Sequence, residues 1–264
     1  MKKRKSSIKE LKPNKIGFRS SVSIYKEKFS NQEEITFKPK FSITKNITFA
    51  SYGKIANNIA KHFKRLKPFK KSPYPNIHLF FIVHADDAEH TFTIKEHFEK
   101  GFDSFNGMQS YVGLYFHTAE GFSVVFKDKE DPISEIEKAL NTRNFDPEIK
   151  YIAIYVTPYG KFEKEKPKRE IYYQLKEVLL KRRITSQAID PQKMVEQGIN
   201  WRYSLPNIAV AMLAKLDGIP WRLNTPVKNE LVVGVGAFKQ VDIGVQYIGS
   251  AFSFTNNGRF NRFE

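Results

Sequence analysis

IYYQLKEVLLKRR (residues 171–183) has the pattern of a helix, and the fold prediction for the surrounding chain starts from this helix. Its apolar residues recur at helical spacing and predict one buried face, formed by Ile171, Leu175, Val178 and Leu179. Tyr172 and Lys176 are four residues apart, on an adjacent face that we expect to be more exposed. The predicted helix therefore holds an aromatic ring and an ammonium group side by side.

Two further predicted elements follow this helix and supply more polar groups. The segment ITSQAID (184–190) is short and partly β-branched, which predicts a strand with Gln187 near its end. A polar connector leads to SLPNIAVAMLAKLDGIPW (204–221), a predicted helix that ends at Lys215. One face of this helix carries Asn207, Ala211 and Lys215, and we expect Gly218 and Pro220 to stop it.

These three elements contain the groups that a nucleic-acid end requires. A terminal phosphate needs several donors that converge on its oxygens, and the base beside it needs a flat surface for stacking. Lys176, Gln187 and Lys215 are the candidate donors, and Tyr172 is the candidate surface. A Tyr and a Lys four residues apart also occur on many ordinary solvated helices, so the pair gains meaning only from its sequence context.

That context resembles a known family. The order Tyr-x-x-x-Lys, then Ser-Gln, then an Asn-containing helix closing on AKLDGIPW is similar to the MID domain of Argonaute proteins, especially prokaryotic ones. The resemblance implies that Tyr172 stacks on the first base of a guide strand. It implies that Lys176, Gln187 and Lys215 hold the guide's 5′ phosphate, with Asn207 and Tyr173 as possible supporting residues.

The same resemblance implies which partners the protein binds and how far along the chain the similarity continues. It continues into WRLNTPVKNELVVGVGAF (221–238), which is similar to the start of a PIWI domain. The implied partners are a small guide RNA or DNA and its complementary target, in prokaryotic nucleic-acid-guided defence. A partner chain that completes the PIWI domain is a further possibility.

Ala211 departs from the pattern of many eukaryotic relatives, which carry another phosphate-binding lysine at this position. Prokaryotic relatives often use a divalent cation instead, commonly completed by the C-terminal carboxylate of the protein. The resemblance therefore implies a possible Mg²⁺ at the phosphate pocket, although this chain ends too early to supply that carboxylate in the usual way.

Gly236 departs from the pattern of relatives that cut their targets. A slicing relative has an aspartate at the end of its first PIWI strand, because an RNase H-like site needs clustered carboxylates to hold paired metal ions. Asp242 is close in sequence but falls in the predicted following turn, where Asp is favoured for its own reasons. We therefore expect no catalytic residues and a non-catalytic protein.

The composition excludes several classes of protein. None of the 264 residues is cysteine, which excludes disulfides, thiolate catalysis and cysteine-based zinc sites. No apolar run approaches the roughly 18 residues of a membrane-spanning helix, and the basic start MKKRKSSIKELK lacks the apolar region of a secretory signal. We expect a cytoplasmic protein without a membrane partner.

The net charge of +16 is concentrated in the first quarter of the chain. Residues 1–72 contain 20 Lys and Arg against 4 Asp and Glu, which leaves 24 basic and 24 acidic residues for the remainder. A basic arm of this kind usually attracts a polyanion with steep salt dependence. A solvated lysine-rich segment without a specific partner is an equal alternative.

The pattern along the chain predicts the fold class. Alternating residues predict short strands at 17–29, 35–41 and 42–49, and Ile55, Ile59 and Phe63 predict a helix that ends at Pro68. From Ile77 onward, strands alternate with helices. We predict buried strands at 77–84 and 151–159, further strands at 111–117 and 122–128, and helices at 86–101 and 131–142, the latter starting with Asp131 as cap and Pro132 in the first turn.

We therefore predict an α/β fold with three parts. A basic N-terminal segment of strands and one helix occupies residues 1–75, with a linker at KKSPYPN (70–76). A Rossmann-like MID domain, a parallel sheet flanked by helices, occupies residues 76–226. Residues 227–264 form the first two antiparallel strands of an RNase H-like PIWI domain.

A metal site built from histidines is not predicted. His84, His90 and His97 follow one another at intervals of six and seven residues, which is not the four-residue spacing of a helical zinc pair. Two alternatives to a non-catalytic guide binder remain. One is part of a guided endonuclease whose catalytic half is missing or on another chain. The other is a basic module that binds nucleic acid without sequence or end specificity.

Overall fold

The computed structural model describes residues 47–49, 54–56, 59–160, 163–224, 231–240, 246–255 and 260–263. The chain divides into two compact units, Met1–Ile43 and Thr44–Glu264, and every described residue belongs to the second. The strands predicted at 17–29 and 35–41 lie outside the described residues. The predicted domain limits at 75/76 and 226/227 stay predictions.

Strands and helices alternate through most of the described part of the chain. The strands are β1 (Ile47–Phe49), β2 (Lys54–Ala56), β3 (Ile77–His84), β4 (His117–Thr118), β5 (Val124–Phe126), β6 (Lys150–Val156), β7 (Thr185–Ile189), β8 (Arg222–Leu223), β9 (Leu231–Gln240), β10 (Gln246–Thr255) and β11 (Phe260–Phe263). The α-helices are α1 (Ile59–Leu66), α2 (His90–Glu99), α3 (Gly107–Val112), α4 (Pro132–Asn141), α5 (Lys166–Lys181), α6 (Pro191–Gln197) and α7 (Ser204–Lys215). Two 3-10 helices span Ala85–Asp87 and Gly198–Tyr203.

A parallel sheet forms the centre of the described fold, as predicted. Its strand order is β4-β3-β6-β7, and β5 pairs with β3 on the same side as β4. All of these pairings are parallel. Strands β3 and β6 are buried along almost their whole length, which is what a parallel sheet covered on both faces requires. Strand β7 is the last in the order. No strand of the described ranges pairs with its outer edge, which we call the free edge.

Two apolar cores lie on opposite faces of this sheet. Along β3, Leu79, Phe81 and Val83 contribute to one core, whereas Phe80 and Ile82 contribute to the other. The first core contains the buried residues of α2, α3, α6 and α7, and the second contains those of α4 and α5. Helices α5 and α7 therefore cover opposite faces of the sheet that ends at β7.

Several predicted elements lie where the sequence pattern placed them. Helix α5 buries Ile171, Leu175, Val178 and Leu179, which is the predicted face. Strand β7 and helix α7 occupy the segments predicted for them, and α7 ends at Lys215. Pro132 is in the first turn of α4, and Asp131 is its N-terminal cap residue, although the Asp131 side chain makes no capping hydrogen bond.

Two local predictions are wrong, and a third segment contains helices that were not predicted. Most of the strand predicted at 111–117 is helix α3 and the turn after it, because Met108 and Val112 are buried at helical spacing and Gly113, with φ of 76°, ends the helix. Ile55 belongs to β2, which pairs with β1, so helix α1 starts only at Ile59. The polar connector before Ser204 contains α6 and a 3-10 helix.

The C-terminal strands form a separate antiparallel sheet with the order β11-β10-β9. The two predicted strands correspond to β9 and β10, while β11 was not predicted. Gly236 is inside β9 and pairs with Ser250 of β10. Asp242 lies outside the described residues.

The end of α7 is shaped by a close approach between Gly218 and Leu213. Asp217, with φ of 60°, is the residue that takes the left-handed conformation after the helix. The Gly218 amide donates to the Leu213 carbonyl at 2.9 Å. A Cβ on Gly218 would be 2.3 Å from Leu213 Cδ1 and 3.0 Å from the Leu213 carbonyl oxygen, so only glycine fits without movement.

Gly218→Ala is expected to lower the free energy of unfolding by about 1–3 kcal/mol, because the added methyl group must displace the buried Leu213 side chain. Urea unfolding measures this change. Gly160→Ala is the matched control: the nearest atom to its added Cβ, a carboxylate oxygen of Asp190, is 3.5 Å away, and the expected change is within about 0.5 kcal/mol. Equal effects of the two substitutions would contradict the packing argument.

Candidate functional site

The candidate site lies at the free edge of β7, where α5 and α7 approach from opposite faces of the sheet. Leu175 of α5 packs in one core, whereas Leu213 of α7 packs in the other. The polar faces of both helices can therefore reach around the same strand edge. Gln187 is the middle residue of β7, so the site is beside the strand rather than beyond its carboxyl end.

Lys215 and Gln187 are in direct contact, although 28 residues separate them in sequence. The Lys215 ammonium donates to the Gln187 Oε1 atom at 2.9 Å and to the Ser186 carbonyl at 2.8 Å. The Gln187 amide donates in turn to the Ala188 carbonyl at 2.9 Å. An ammonium group has three donors, so one N–H of Lys215 remains for a ligand.

Lys176 is close enough to Lys215 to affect its protonation. Burial of the ammonium lowers the pKa of Lys215 below 10.5, and the positive charge of Lys176 lowers it further. The Lys215 side chain is exposed as a whole, but its ammonium is desolvated because it rests against the backbone of β7. Lys176 is itself exposed and makes no ion pair within the described ranges. Among the described residues, therefore, no carboxylate neutralises the two lysines.

Tyr172 lies one helical turn before Lys176 on α5, as predicted. Its ring is half-buried and packs against the core that α4 and α5 share. The ring of Tyr173 contacts it edge-on, with centroids 5.2 Å apart and planes at 74°. Tyr173 is 62% exposed, so the two rings together present a partly buried aromatic surface beside the lysine pair.

Asn207 and Ala211 lie on the same face of α7 as Lys215, but they are not equally near the contact with β7. Ala211 is one turn before Lys215. Asn207 is two turns before it, about 12 Å along the helix axis at the usual rise per residue. The Asn207 amide donates to the Tyr203 carbonyl at 3.3 Å. The structure therefore brings Lys215 into contact with Gln187 and into the electrostatic range of Lys176, and leaves Asn207 farther away.

The backbone of β7 contributes a donor that the sequence analysis missed. The Ile189 carbonyl accepts from the Thr157 amide at 2.9 Å, so Ile189 directs its backbone groups toward the β6 side. Successive residues of a parallel strand direct their backbone groups to opposite sides. The N–H groups of Ser186 and Ala188 consequently point to the free edge, beside Lys215 and Gln187. Only the edge position of β7, which is a tertiary feature, reveals these donors.

A shallow cavity of about 530 Å³ lies elsewhere, near the carboxyl ends of β6 and β7. Its lining is strongly charged and includes Gly160, Glu163, Asp190 and Lys193. None of the grouped site residues lines it. Proximity of donors, rather than cavity size, therefore defines the candidate site.

The histidines have structural contacts in the described part of the chain. His84 Nδ1 accepts from the Asp86 amide at 3.1 Å, and its Nε2 is 2.9 Å from the Lys127 carbonyl, which makes Nε2 the protonated nitrogen. His97 packs against Phe102, and burial lowers the pKa of its imidazole. Among the described residues, no three His, Cys, Asp or Glu side chains are arranged to hold a metal ion.

Solved structures with the same fold are Argonaute proteins. The Argonaute from Methanocaldococcus jannaschii matches with a TM-score of 0.58 and 17% identity, covering 85% of this chain and 32% of that one. Drosophila Piwi matches with a TM-score of 0.58 and 13% identity, covering 79% and 27%. Kluyveromyces polysporus Argonaute with a guide RNA matches with a TM-score of 0.55 and 13% identity, covering 83% and 26%.

The chain has an Argonaute-like fold. This similarity confirms, at the level of the fold, the resemblance that the sequence indicated. The chain spans about a third or less of the length of these Argonaute structures. No protein-family model and no curated protein matches the sequence. None of the helices in the described ranges is long and apolar enough to cross a membrane.

Lys176→Met is expected to raise the pKa of Lys215, because it removes a neighbouring positive charge. The value should remain below 10.5, since burial is the larger cause of the shift and is unaffected. The pH dependence of the Lys215 ¹³Cε chemical shift measures this pKa.

Lys181→Met is the matched control. Lys181 is on the same helix, but its ammonium pairs with Glu177 at 2.7 Å. This substitution should leave the pKa of Lys215 unchanged. An unchanged Lys215 pKa in Lys176→Met would show that the two ammonium groups are not neighbours.

Proposed function

We propose that this chain binds the 5′-phosphorylated end of a small guide nucleic acid without cutting, as part of an Argonaute-type guided defence system. The observation that carries the proposal is the contact of Lys215 with Gln187 at the edge of β7, with the charge of Lys176 acting on Lys215 and no carboxylate paired with either lysine among the described residues. Two neighbouring ammonium groups repel each other, and a bound anion removes that repulsion.

A terminal phosphate suits this set of hydrogen-bond donors better than an anion with a single negative charge. Lys215 offers its third N–H, Lys176 is unpaired among the described residues, and the Ala188 N–H points to the same edge. Gln187 can contribute its amide by exchanging the Ala188 carbonyl for a phosphate oxygen. Hydrogen bonds to charged groups contribute about 1.5–3 kcal/mol each, so two lysines support a preference of about 100-fold for phosphate over hydroxyl.

The first base of the guide would stack beside the phosphate on Tyr172. A half-buried ring has a fixed orientation, which lowers the entropy cost of stacking. Tyr173 supports Tyr172 edge-on and offers additional aromatic surface. Asn207 has a lesser role in this proposal because it lies two turns from Lys215.

The guide strand and its complementary target are the proposed partners. The Methanocaldococcus jannaschii Argonaute has been solved in complex with guide DNA, and the Kluyveromyces polysporus Argonaute with a guide RNA. A 5′ phosphate on either a DNA or an RNA guide would present the same group to the proposed site. A partner chain that completes the PIWI domain also belongs to the proposal.

The Mg²⁺ that the family resemblance implies does not fit the protein groups at this site. Magnesium prefers carboxylate and water oxygens, whereas the grouped side chains are two ammonium groups and an amide. The two oxygens nearest the Lys215 ammonium, the Gln187 amide oxygen and the Ser186 carbonyl oxygen, already accept its hydrogen bonds. A bound ion would need ligands from the phosphate itself, so the proposed recognition depends on the hydrogen-bond donors of the protein.

The non-catalytic part of the proposal rests on Gly236. By the family resemblance, Gly236 stands where a slicing relative would carry its first carboxylate, and glycine has no side chain to coordinate a metal ion. Gly236 lies within β9. The alternative endonuclease needs carboxylates from a segment or chain beyond this one. An adjacent reading frame with an acidic tetrad would favour that alternative.

The double variant Lys176→Ala, Gln187→Ala is expected to erase the preference for a 5′ phosphate. Two labelled oligonucleotides of one sequence, with 5′-phosphate and 5′-hydroxyl ends, give two dissociation constants for each protein by fluorescence anisotropy. The ratio of these constants should fall from about 100 toward one, because the variant lacks two of the donors to the phosphate.

Gln174→Ala, Lys181→Ala is the matched control, since it removes the same residue types from exposed positions on α5. It should keep the ratio of the unmutated protein. Equal affinity of the unmutated protein for both ends would refute the proposed function. If that equal affinity also fell steeply with salt, it would identify the basic module instead, driven by the charge of residues 1–72.

Incubation with a 5′-phosphorylated guide, a complementary target and Mg²⁺ or Mn²⁺ is expected to leave the target intact, because no clustered carboxylates are proposed for this chain. Denaturing gel electrophoresis of the labelled target detects any cut. Cleavage at one position that disappears in Asp242→Ala would contradict the non-catalytic assignment. Cleavage that persists in Asp242→Ala would place the carboxylates elsewhere and contradict it as well.

A further inference from the structure

The segment that precedes β3 is bound to the turn that follows α7. We call residues 69–74 the clamp segment. The Phe69 amide donates to the Pro220 carbonyl at 2.9 Å, and the Lys70 amide donates to the Ile219 carbonyl at 2.9 Å. The Ile219 amide donates back to the Lys70 carbonyl at 2.8 Å. These backbone bonds join two parts of the chain that are about 150 residues apart in the sequence.

Two side chains of the clamp segment reach the residues directly after Lys215. The Ser72 hydroxyl donates to the Leu216 carbonyl at 2.7 Å. The Tyr74 hydroxyl donates to the carboxylate of Asp217. This hydrogen bond, together with partial burial, raises the pKa of Tyr74, so the phenol stays protonated as the donor.

The last turn of α7 needs such partners. The final carbonyl groups of a helix lack partners within the helix, and helix ends fray unless other groups bind them. Asp217 is also in the left-handed conformation, at φ of 60°, which residues other than glycine adopt only at a cost. The bond from Tyr74 holds Asp217 in this conformation.

Lys215 is consequently fixed from two sides. Its backbone belongs to the last turn of α7, which the clamp segment binds through Leu216 and Asp217. Its ammonium is bound on the opposite side by the Ser186 carbonyl and the Gln187 amide oxygen of β7. The lysine therefore occupies its place before any ligand arrives.

We infer that Tyr74 and Ser72 are positioning residues for the Lys215 ammonium. This inference rests on the proposed function and names residues outside the pocket that the phosphate does not touch. A donor already held in place loses little conformational freedom on binding, and the affinity gain is correspondingly larger. Loosening the clamp should therefore weaken binding of the phosphate end and leave binding of the hydroxyl end unchanged.

Tyr74→Phe tests the inference with the smallest change. It removes one hydroxyl and keeps the ring, which packs against the core and carries the Lys150 ammonium 5.0 Å from its centroid. The ratio of hydroxyl-end to phosphate-end dissociation constants should fall about fivefold to tenfold, the net effect of one hydrogen bond. Tyr115→Phe is the matched control, since Tyr115 is 56% exposed and distant in sequence from the site. It should leave the ratio unchanged.

Asp217 supplies two further variants. Asp217→Asn keeps an oxygen that accepts from Tyr74 and should retain most of the phosphate preference. Asp217→Ala removes the acceptor and should lower the ratio as Tyr74→Phe does. Similar losses in Asp217→Asn and Asp217→Ala would overturn the role of the Tyr74 hydrogen bond, and this comparison holds even where Tyr74→Phe fails to fold.

A Lys215→Ala background separates positioning from general stability. If Tyr74 acts through Lys215, Tyr74→Phe should change the ratio no further once Lys215 is alanine. A fall of the same size in both backgrounds would overturn the inference, because a purely structural effect does not depend on Lys215.

The pKa of Lys215 provides a readout without any ligand. Tyr74→Phe should raise this pKa toward its ordinary value, because a loosened helix end lets the ammonium leave its desolvated contact with β7. Equal affinity of the unmutated protein for the phosphate end and the hydroxyl end would refute the proposed function. The titration of Lys215 would still show whether Tyr74 positions its ammonium. An unchanged pKa together with an unchanged ratio would overturn the positioning role and leave the proposed function standing.

Discussion

The hydrogen bonds from the Lys215 ammonium to the edge of β7 join the elements on which the site depends. They connect the end of α7 with the backbone of Ser186 and the side chain of Gln187. Such a contact needs a strand that is covered on both faces and open along one edge. The sheet order places β7 in that position, and Lys176 of α5, which covers the other face, is near enough for its charge to act on Lys215.

The electrostatics of the site follow from this arrangement. Desolvation and the charge of Lys176 both oppose the charged form of Lys215, so the free protein maintains an unfavourable pair of like charges. The packing of the two helices on opposite cores stabilises this arrangement and offsets its cost. Charge repulsion at a preformed site is compatible with anion binding, because an anion gains energy from both lysines without requiring them to move.

The Argonaute-like fold is retained at identities of 13% to 17%. A parallel sheet covered on both faces requires apolar side chains at alternating positions, but many different apolar residues satisfy that requirement. In β3, the neighbouring residues Leu79 and Phe80 pack in different cores, because successive side chains of a strand point to opposite faces of the sheet. Burial on each face of the sheet, rather than residue identity, therefore maintains the fold, whereas a phosphate site depends on particular donors at particular positions.

The sequence by itself determined the elements that local periodicity encodes. The four buried residues of α5, the strand around Gln187 and the end of α7 at Lys215 were all predictable, because each depends on spacing within one segment. The grouping of Lys176, Gln187 and Lys215 was a hypothesis from family resemblance. Only the tertiary structure brought Lys215 into contact with Gln187 and into the electrostatic range of Lys176.

Other features depended on contacts between distant segments. The residues around 111 became helix rather than strand because Met108 and Val112 found a core, and Ile55 joined a strand because β1 was available as a partner. The Ala188 donor depended on which strand forms the sheet edge. The bond from Tyr74 to Asp217 joins residues 143 positions apart. Local periodicity cannot specify such contacts, because their free energy arises only when the chain brings both partners together.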